Sequence, residues 1–230
     1  MTSSPIMLGL DASTGTCSVA LAVGDAIHTR LQRQPKGHAA LLLALADELL
    51  AEAGLARRMV DAIACTRGPG GFTGVRIGVG VAQGLALGLD RPVVPLSTLQ
   101  VLAETAIRQQ PRGDGVLVLL DARMGEVYGG LYRHERNAPG TSTVVDAEWL
   151  GPPLPPSLPS GEWAGAGSGF AAYPDLASMV GLHSVEADCV PDMGSAMPLA
   201  RRRLAAGEGV PGHCLEPVYL RNRVADPPAT

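Results

Sequence analysis

Aromatic residues are scarce in this chain of 230 residues: they make up 3% of it, whereas hydrophobic residues make up 46%. Any core is therefore built mostly from Ala, Val and Leu side chains. A chain of this length forms one large domain or two smaller lobes that share an interface.

Signals for secretion are also missing. The four cysteines, at positions 17, 65, 189 and 214, include no C-x-x-C pair, so we expect free thiols in a reducing compartment. The short apolar stretch at residues 6–10 has no basic region before it, which argues against a signal peptide.

Long hydrophobic runs and an excess of basic charge are absent too. The apolar helix predicted near residues 74–89 is interrupted by Arg76 and Gln83, whereas a membrane span needs about 20 apolar residues in succession. The net charge of −4 disfavours a stand-alone nucleic-acid binder, because phosphate contacts need clustered Lys and Arg. We expect a soluble cytoplasmic protein with no membrane association.

Familiar catalytic motifs do not occur either. The five histidines include no H-E-x-x-H and no pair four residues apart, so we predict no metal site. The sequence has no Walker A lysine, no G-x-S-x-G elbow and no dinucleotide fingerprint. We predict no catalytic residue.

Glycine, by contrast, is concentrated in one place. Residues 67–84 hold seven glycines in 18 positions and then read as a helix, although glycine inside a helix costs about 1 kcal/mol relative to alanine. Two series at a spacing of four, Gly70-Gly74-Gly78 and Gly80-Gly84-Gly88, would let another helix or strand approach closely. The loop could equally bind an anion at a helix N-terminus, with phosphate contacts at Gly68, Gly70 and Gly71.

Two other turns carry candidate functional residues. Asp11, Ser13 and Thr14 follow a predicted strand, where turn amides could face phosphate and the carboxylate could hold a metal; an ordinary hairpin would have the same sequence. Asp121, Arg123 and Glu126 follow another strand and could line a cleft. A tight turn with a surface ion pair explains them equally well.

The order of predicted elements suggests two related α/β lobes. Strands are predicted at residues 6–10, 17–23, 26–33, 61–65 and 92–96 of the first half, and at 115–120, 126–133 and 141–145 of the second. Residues 163–169 are predicted as a strand and glycine turn. Helices are predicted at 39–53, 73–89, 97–110 (with Ser97 as N-cap) and 192–206.

Six segments of the chain occur in the same order in the bacterial TsaB (YeaZ) family, which the chain resembles over nearly its whole length. They are residues 8–14 (LGLDAST), 67–78 (RGPGGFTGVRIG), 82–86 (AQGLA), 94–99 (VPLSTL), 121–128 (DARMGEVY) and 216–221 (EPVYLR). The second and fifth segments are highly specific together, whereas residues 141–215 carry little of the match.

This resemblance implies an α/β, actin-like (ASKHA) fold of two lobes, each a mixed β-sheet with flanking helices. We expect the N-terminal lobe, with the glycine loop and partner-binding helices, at residues 1–100. The C-terminal lobe is expected at residues 101–230, with the last segment crossing back to the first lobe.

The resemblance also implies a role in forming N6-threonylcarbamoyladenosine at position 37 of tRNAs that read ANN codons. In the family, TsaB is the partner of a catalytic paralogue, TsaD, and the ATPase TsaE joins them. We expect a heterodimer with TsaD, a homodimer when the chain is alone, and tRNA contact only through the complex. No tightly bound cofactor is expected in this chain. The resemblance leaves room for ATP or ADP at the interface of the complex.

One departure from TsaD-type chains bears on activity. Those chains hold a metal through a His-x-x-x-His pair. Here His38 is at the place of the first histidine, but residue 42, where the second would stand, is a leucine. The chain is therefore expected to keep the fold without the active site, as a scaffold or activator that is not an enzyme on its own.

TsaB proteins pair through helices of the N-terminal lobe, so the resemblance also suggests a partner surface. Its predicted members are His38, Leu41, Leu42, Leu45, Leu49, Gly74, Gly78, Val81 and Leu85. The alternative, that these leucines all face the lobe's own sheet, stays open.

Two further hypotheses belong to other functional classes. A self-contained actin-like ATPase or phosphotransferase would bind a nucleotide–metal pair between Asp11 and the Asp121 region. A peptidase is a weaker third hypothesis, because the sequence has no zinc ligands, nucleophile elbow or paired carboxylates.

Overall fold

The structure, a computed structural model, describes residues 4–33, 37–110, 113–135, 141–154 and 156–221. Its strands form two sheets, one from each half of the chain. The part of the expected C-terminal lobe that follows residue 221 lies outside the described residues.

The first sheet has the strand order β3-β2-β1-β4-β5. Strands β1, β2 and β3 are antiparallel neighbours, whereas β4 pairs parallel with both β1 and β5. The strands are β1 (Met7–Asp11), β2 (Thr16–Val23), β3 (Ala26–Arg33), β4 (Ala62–Thr66) and β5 (Val93–Leu96).

Helices cover both faces of this sheet. Helices α1 (His38–Glu52) and α2 (Phe72–Leu89) share one core with Leu8 and Leu10 of β1. Because side chains alternate along a strand, Met7 faces the opposite side, where it packs with helix α6 (Met193–Ala205). The helix nearest the C-terminus therefore belongs to the core of the first lobe.

The second sheet has the order β11-β10-β6-β7-β8. Strand β8 pairs with the C-terminal end of β7, and β9 pairs with its N-terminal end. Helix α3 (Thr98–Gln109) packs on one of its faces, and the short helices α4 (Ser168–Ala172) and α5 (Asp175–Val180) lie on the other side of the sheet. The strands are β6 (Gly115–Arg123), β7 (Glu126–His134), β8 (Ser142–Val144), β9 (Trp149–Gly151), β10 (Trp163–Ala166) and β11 (Ser184–Glu186).

Helix α3 lies between the lobes and is buried on all sides from Thr98 to Ile107. Ser97 caps its N-terminus by accepting hydrogen bonds from two backbone amides, as predicted. The helix contacts both α6 and the second sheet. It therefore lies where the two lobes share continuous packing.

A buried carboxylate connects α3 to β8. Glu104 Oε1 accepts hydrogen bonds from Ser142 N at 2.8 Å and Ser142 Oγ at 2.7 Å, while Oε2 has no hydrogen-bond partner among the described residues. Burial raises the pKa of Glu104 to about 7, against the opposing effect of the Ser142 hydrogen bonds. The carboxyl group therefore takes up a proton at near-neutral pH in the folded protein.

The first glycine series packs on the chain's own β1–β2 turn. A Cβ at Gly74 would overlap Ala12 O, one at Gly70 would overlap Ser13 O, and one at Gly78 would lie 3.7 Å from Ala12 N. Gly71 N donates a hydrogen bond of 2.8 Å to Ser13 O. Close approach within the lobe thus explains Gly70 and Gly74 without a partner chain, whereas a Cβ at Gly78 would make ordinary van der Waals contact.

The predicted elements of the first lobe are confirmed to within two residues at most ends. In the second lobe, β9, α4, α5 and β11 were not predicted; each has at most six residues, too short for a periodic pattern. All four cysteines are free, as expected.

The two glycine series should respond oppositely to alanine. Gly74→Ala places a methyl group against the Ala12 carbonyl, so we expect a loss of about 1–3 kcal/mol of stability. Gly84→Ala has open space around its Cβ and should gain up to about 1 kcal/mol from helix propensity. Thermal melting of both variants checks the contrast, and equal melting temperatures would contradict it.

Stability should fall with rising pH where Glu104 ionises. The pKa of Glu104 is raised from 4.5 to about 7 in the folded state, so the folded protein binds more protons than the unfolded one between these values. The contribution of Glu104 to the free energy of unfolding is fully present below pH 4.5. About 3 kcal/mol of it is lost as the pH rises through 7. Urea unfolding from pH 4.5 to 8 measures this loss.

Glu104→Gln should flatten this part of the stability–pH curve, since the amide does not ionise. Glu48→Gln, at an exposed position of α1, is the matched control and should keep the slope. A Glu104→Gln curve as steep as that of the control would show that another group is responsible.

Candidate functional site

A cleft of about 950 Å³ separates the two sheets. Its first wall is formed by the β1–β2 turn and the start of α2, and its second by the end of β6 and the loop before α6. The structure places six of the predicted site residues on these walls: Ser13, Thr14, Gly70, Gly71, Asp121 and Arg123.

Asp11 is not on the cleft wall, because its side chain is fully buried behind the turn. Its Oδ1 accepts hydrogen bonds from Ser13 Oγ and Thr66 Oγ1, each at 2.5 Å, and from Ser13 N at 3.1 Å. Its Oδ2 has no hydrogen-bond partner among the described residues. The Asp11 carboxylate thus holds the turn and β4 together through one oxygen, and the ligand contact expected of Asp11 stays a prediction.

The electrostatics of Asp11 reflect this enclosure. Burial raises the pKa of the carboxyl group, and the hydrogen bonds from Ser13 and Thr66 act against it, as does the nearby His38. Gly68 is also enclosed: a Cβ there would lie 2.8 Å from Val218 O. Gly68 does not line the cleft, and the phosphate contact expected of it stays a prediction.

The turn between β6 and β7 has an unusual backbone. Arg123 and Met124 both have positive φ, at 62° and 56°, a conformation that is uncommon for residues with bulky side chains. Asp121 Oδ1 accepts a hydrogen bond from Arg123 N at 2.9 Å, and Asp121 Oδ2 lies 3.2 Å from Arg123 Nη1. Asp121 and Arg123 thus form a tight turn with an ion pair and line the cleft as well.

Glu126, the third residue predicted to line the cleft, is not on its wall. Its carboxylate instead pairs with Arg221 at 2.5 Å. Arg221 does line the cleft, next to Tyr219. The chain thus returns to the cleft after α6 and contacts the second lobe there.

The cleft residues to which sequence reasoning assigned no site role include Phe72, Arg76, Tyr219 and Arg221. The guanidinium of Arg76 lies 3.6 Å above the Phe72 ring and 5.3 Å from that of Tyr219. Aromatic residues are rare in this chain. The presence of Phe72 and Tyr219 in the segments that resemble the TsaB family was therefore the signal that could have marked these cleft residues.

A second feature outside the cleft is the outer face of α2. Gly80, Gly84 and Gly88 have open space where a Cβ would stand, and Leu87 is 85% exposed. Among the described residues, α2 is the one helix long and apolar enough to span a membrane by length and composition. It nevertheless packs against α1 and β4, which makes it part of the first lobe.

The predicted partner surface needs correction in five positions. Their side chains or Cα atoms are buried inside the lobe and face its own sheet or turn: Leu42, Leu45, Leu49, Gly74 and Gly78. The other four predicted members are only partly buried: His38, Leu41, Val81 and Leu85. These four remain a predicted contact surface beside the outer face of α2.

Comparison with known families supports a tRNA-modification role. The family model described as TsaD, tRNA N6-adenosine threonylcarbamoyltransferase, matches residues 32–193. The tRNA threonylcarbamoyladenosine biosynthesis protein TsaB of Escherichia coli (strain K12) is 37% identical over 224 residues, covering 95% of this chain and 96% of that protein. The TsaB protein of Haemophilus influenzae is 47% identical over 53% of this chain and 51% of its own length.

Solved structures agree with this relationship. YeaZ from Pseudomonas aeruginosa superposes with a TM-score of 0.86 at 39% identity, over 94% of this chain and all of that one. Component A of (R)-2-hydroxyglutaryl-CoA dehydratase from Acidaminococcus fermentans shares the fold alone, with a TM-score of 0.52 at 10% identity over 88% of this chain and 100% of its own. The two lobes have the actin-like fold, and the chain belongs to the TsaB (YeaZ) family of tRNA threonylcarbamoyladenosine biosynthesis proteins.

Proposed function

We propose that this chain is a non-catalytic subunit that binds and activates a TsaD-type threonylcarbamoyltransferase. The outer face of α2 is the observation that carries the proposal. Leu87 is 85% exposed there, and Gly80, Gly84 and Gly88 leave open space along the same helix. An exposed leucine beside a row of glycines that admits close approach of another helix suits a partner site.

The geometry of this face suits a helix of the partner. Without Cβ atoms in the way, a second helix can approach α2 more closely than the usual 8–10 Å between axes. The TsaD family model matches residues 32–193 of this chain, so a TsaD-type partner is expected to carry comparable helices. The same face would also allow a homodimer through a two-fold axis, and the two assemblies would compete.

Two features support a role without chemistry of its own. Leu42 stands at the second position of the His-x-x-x-His pair of TsaD-type chains, and it is fully buried in the core. Asp11, the carboxylate best placed in sequence to hold a nucleotide–metal pair, is enclosed by Ser13 and Thr66. Leu42 has no metal-binding atom, and hydrogen bonds inside the lobe engage Oδ1 of Asp11.

The remaining partners follow from the family. A TsaE-type ATPase would join the complex, with ATP or ADP at the complex interface and tRNA bound mainly by the partner. The net charge of −4 supports leaving most phosphate contacts to another subunit. A substrate tRNA would place the complex in the cytoplasm.

Reconstitution tests the proposal directly. Purified TsaD-type and TsaE-type proteins, ATP, threonylcarbamoyl-adenylate and unmodified tRNA are combined with and without this chain, and modified adenosine is measured. We expect transfer only when the chain is present. Equal transfer without it would contradict the proposal, and ATP hydrolysis by the chain alone would then favour the ATPase hypothesis.

A charged substitution on the outer face of α2 tests whether this face binds the partner. Leu87→Glu should weaken binding to the TsaD-type partner at least tenfold, or by about 1.4 kcal/mol, because a buried carboxylate without a partner is costly. Met179→Glu, at a residue of α5 that is 62% exposed, is the matched control on the other lobe. Equal affinities of the two variants in calorimetry would place the interface elsewhere.

A further inference from the structure

We propose that residues 215–221, which we call the C-terminal strap, are a latch between the two lobes that sets how far the cleft opens. The strap follows the 3₁₀ turn Gly212–Cys214 and runs along α2 toward the second lobe. It contacts the first lobe at one end and the second lobe at the other.

The first-lobe end of the strap is anchored in the core. Leu215 is buried among the residues of α1, α2 and the first sheet, and its carbonyl accepts a hydrogen bond of 2.8 Å from Gln83 Nε2. Val218 N then donates to Arg67 O at 2.7 Å. Releasing this end would expose buried apolar surface, so it stays in place.

The middle of the strap lies over the N-terminal turn of α2. Arg76 Nε donates a hydrogen bond of 2.6 Å to the Tyr219 hydroxyl, and the Tyr219 and Phe72 rings are 5.8 Å apart. Both rings remain about half exposed, Tyr219 at 44% and Phe72 at 51%. This part of the strap lies on the surface. Its contacts orient the strap toward the second lobe but bury little apolar area.

A single side chain provides the described contacts of the strap with the second lobe. Arg221 Nη2 donates to Glu126 Oε2 at 2.5 Å and to Ala122 O at 3.1 Å, and Nη1 lies 2.7 Å from Met124 Sδ. The side chain is 16% exposed, so water screens these contacts only partly. All of them involve the turn between β6 and β7.

This asymmetry is what makes the strap a latch. Its first-lobe end is apolar and buried, whereas its second-lobe end is one guanidinium on one turn, which can separate without opening either core. Elsewhere the lobes share the continuous packing of α3 and α6, which suits a hinge. Closure about a hinge is a common motion of two-lobed proteins, and the Arg221 contacts would favour the closed state.

Electron–electron distance measurements across the cleft test the latch on the isolated chain. Spin labels are attached to Thr73→Cys on α2 and Ala171→Cys on α4, both exposed positions on opposite lobes, in a Cys214→Ser background. The other three cysteines are buried. Dilution with unlabelled protein removes distances between copies of the chain.

Arg221→Ala should increase the open fraction about tenfold, since hydrogen bonds to charged groups that are largely buried are lost. Glu126→Gln keeps Arg221 and should give a smaller shift in the same direction. The charge exchange Arg221→Glu with Glu126→Arg should restore most of the closed fraction. Thermal melting shows that each variant is folded before distances are compared.

The matched control is Arg30→Ala, which removes the ion pair of Arg30 with Glu52 inside the first lobe and should leave the distances unchanged. Distances in folded Arg221→Ala and Glu126→Gln that equal those of the parent protein would overturn the proposal. So would an identical shift in the Arg30 control, because it would show a general loosening. Neither result depends on the partner subunit.

Discussion

The packing of α2 against the β1–β2 turn is the constraint on which the rest of this structure depends. Gly70 and Gly74 bring the backbone of the loop and helix so close to Ala12 and Ser13 that no side chain fits between them. The Asp11 carboxylate holds the same turn from below through Ser13 and Thr66. With the turn held from both sides, the direction of α2 is determined.

The two surfaces with proposed roles follow from the direction of α2. One side of the helix is committed to the lobe, so the other side presents Leu87 and the open glycines to the solvent. The N-terminal turn points at the cleft, where Phe72 and Arg76 meet the C-terminal strap. A partner bound to the outer face would therefore touch the same helix that the strap follows to the second lobe.

Contacts within the chain shape both walls of the cleft. The β1–β2 turn is closed over its own acidic residue, and burial raises the pKa of Asp11. The opposite wall ends in a tight turn whose ion pair is internal. Polar groups on both walls are thus engaged with one another, and the lobes are connected by protein contacts at the mouth.

Much of this could be predicted from the sequence. Hydrophobic periodicity and turn residues located the strands and helices of the first lobe, and Ser97 marked the start of α3 through its capping chemistry. The short elements between residues 168 and 186 were missed, because a helix of five or six residues has too few turns to show a period. The glycine spacing correctly indicated close approach, but not which glycine series would face the chain itself.

What the sequence by itself determined is therefore local: element type, capping, the need for glycine, and the family to which the chain belongs. Only the tertiary structure decided which side of each element is available. Leu42 and Leu87 look alike in sequence, yet one is in the core and the other on the surface. The same holds for Glu126 and Arg221, which are 95 positions apart, because long-range pairing depends on how the lobes pack.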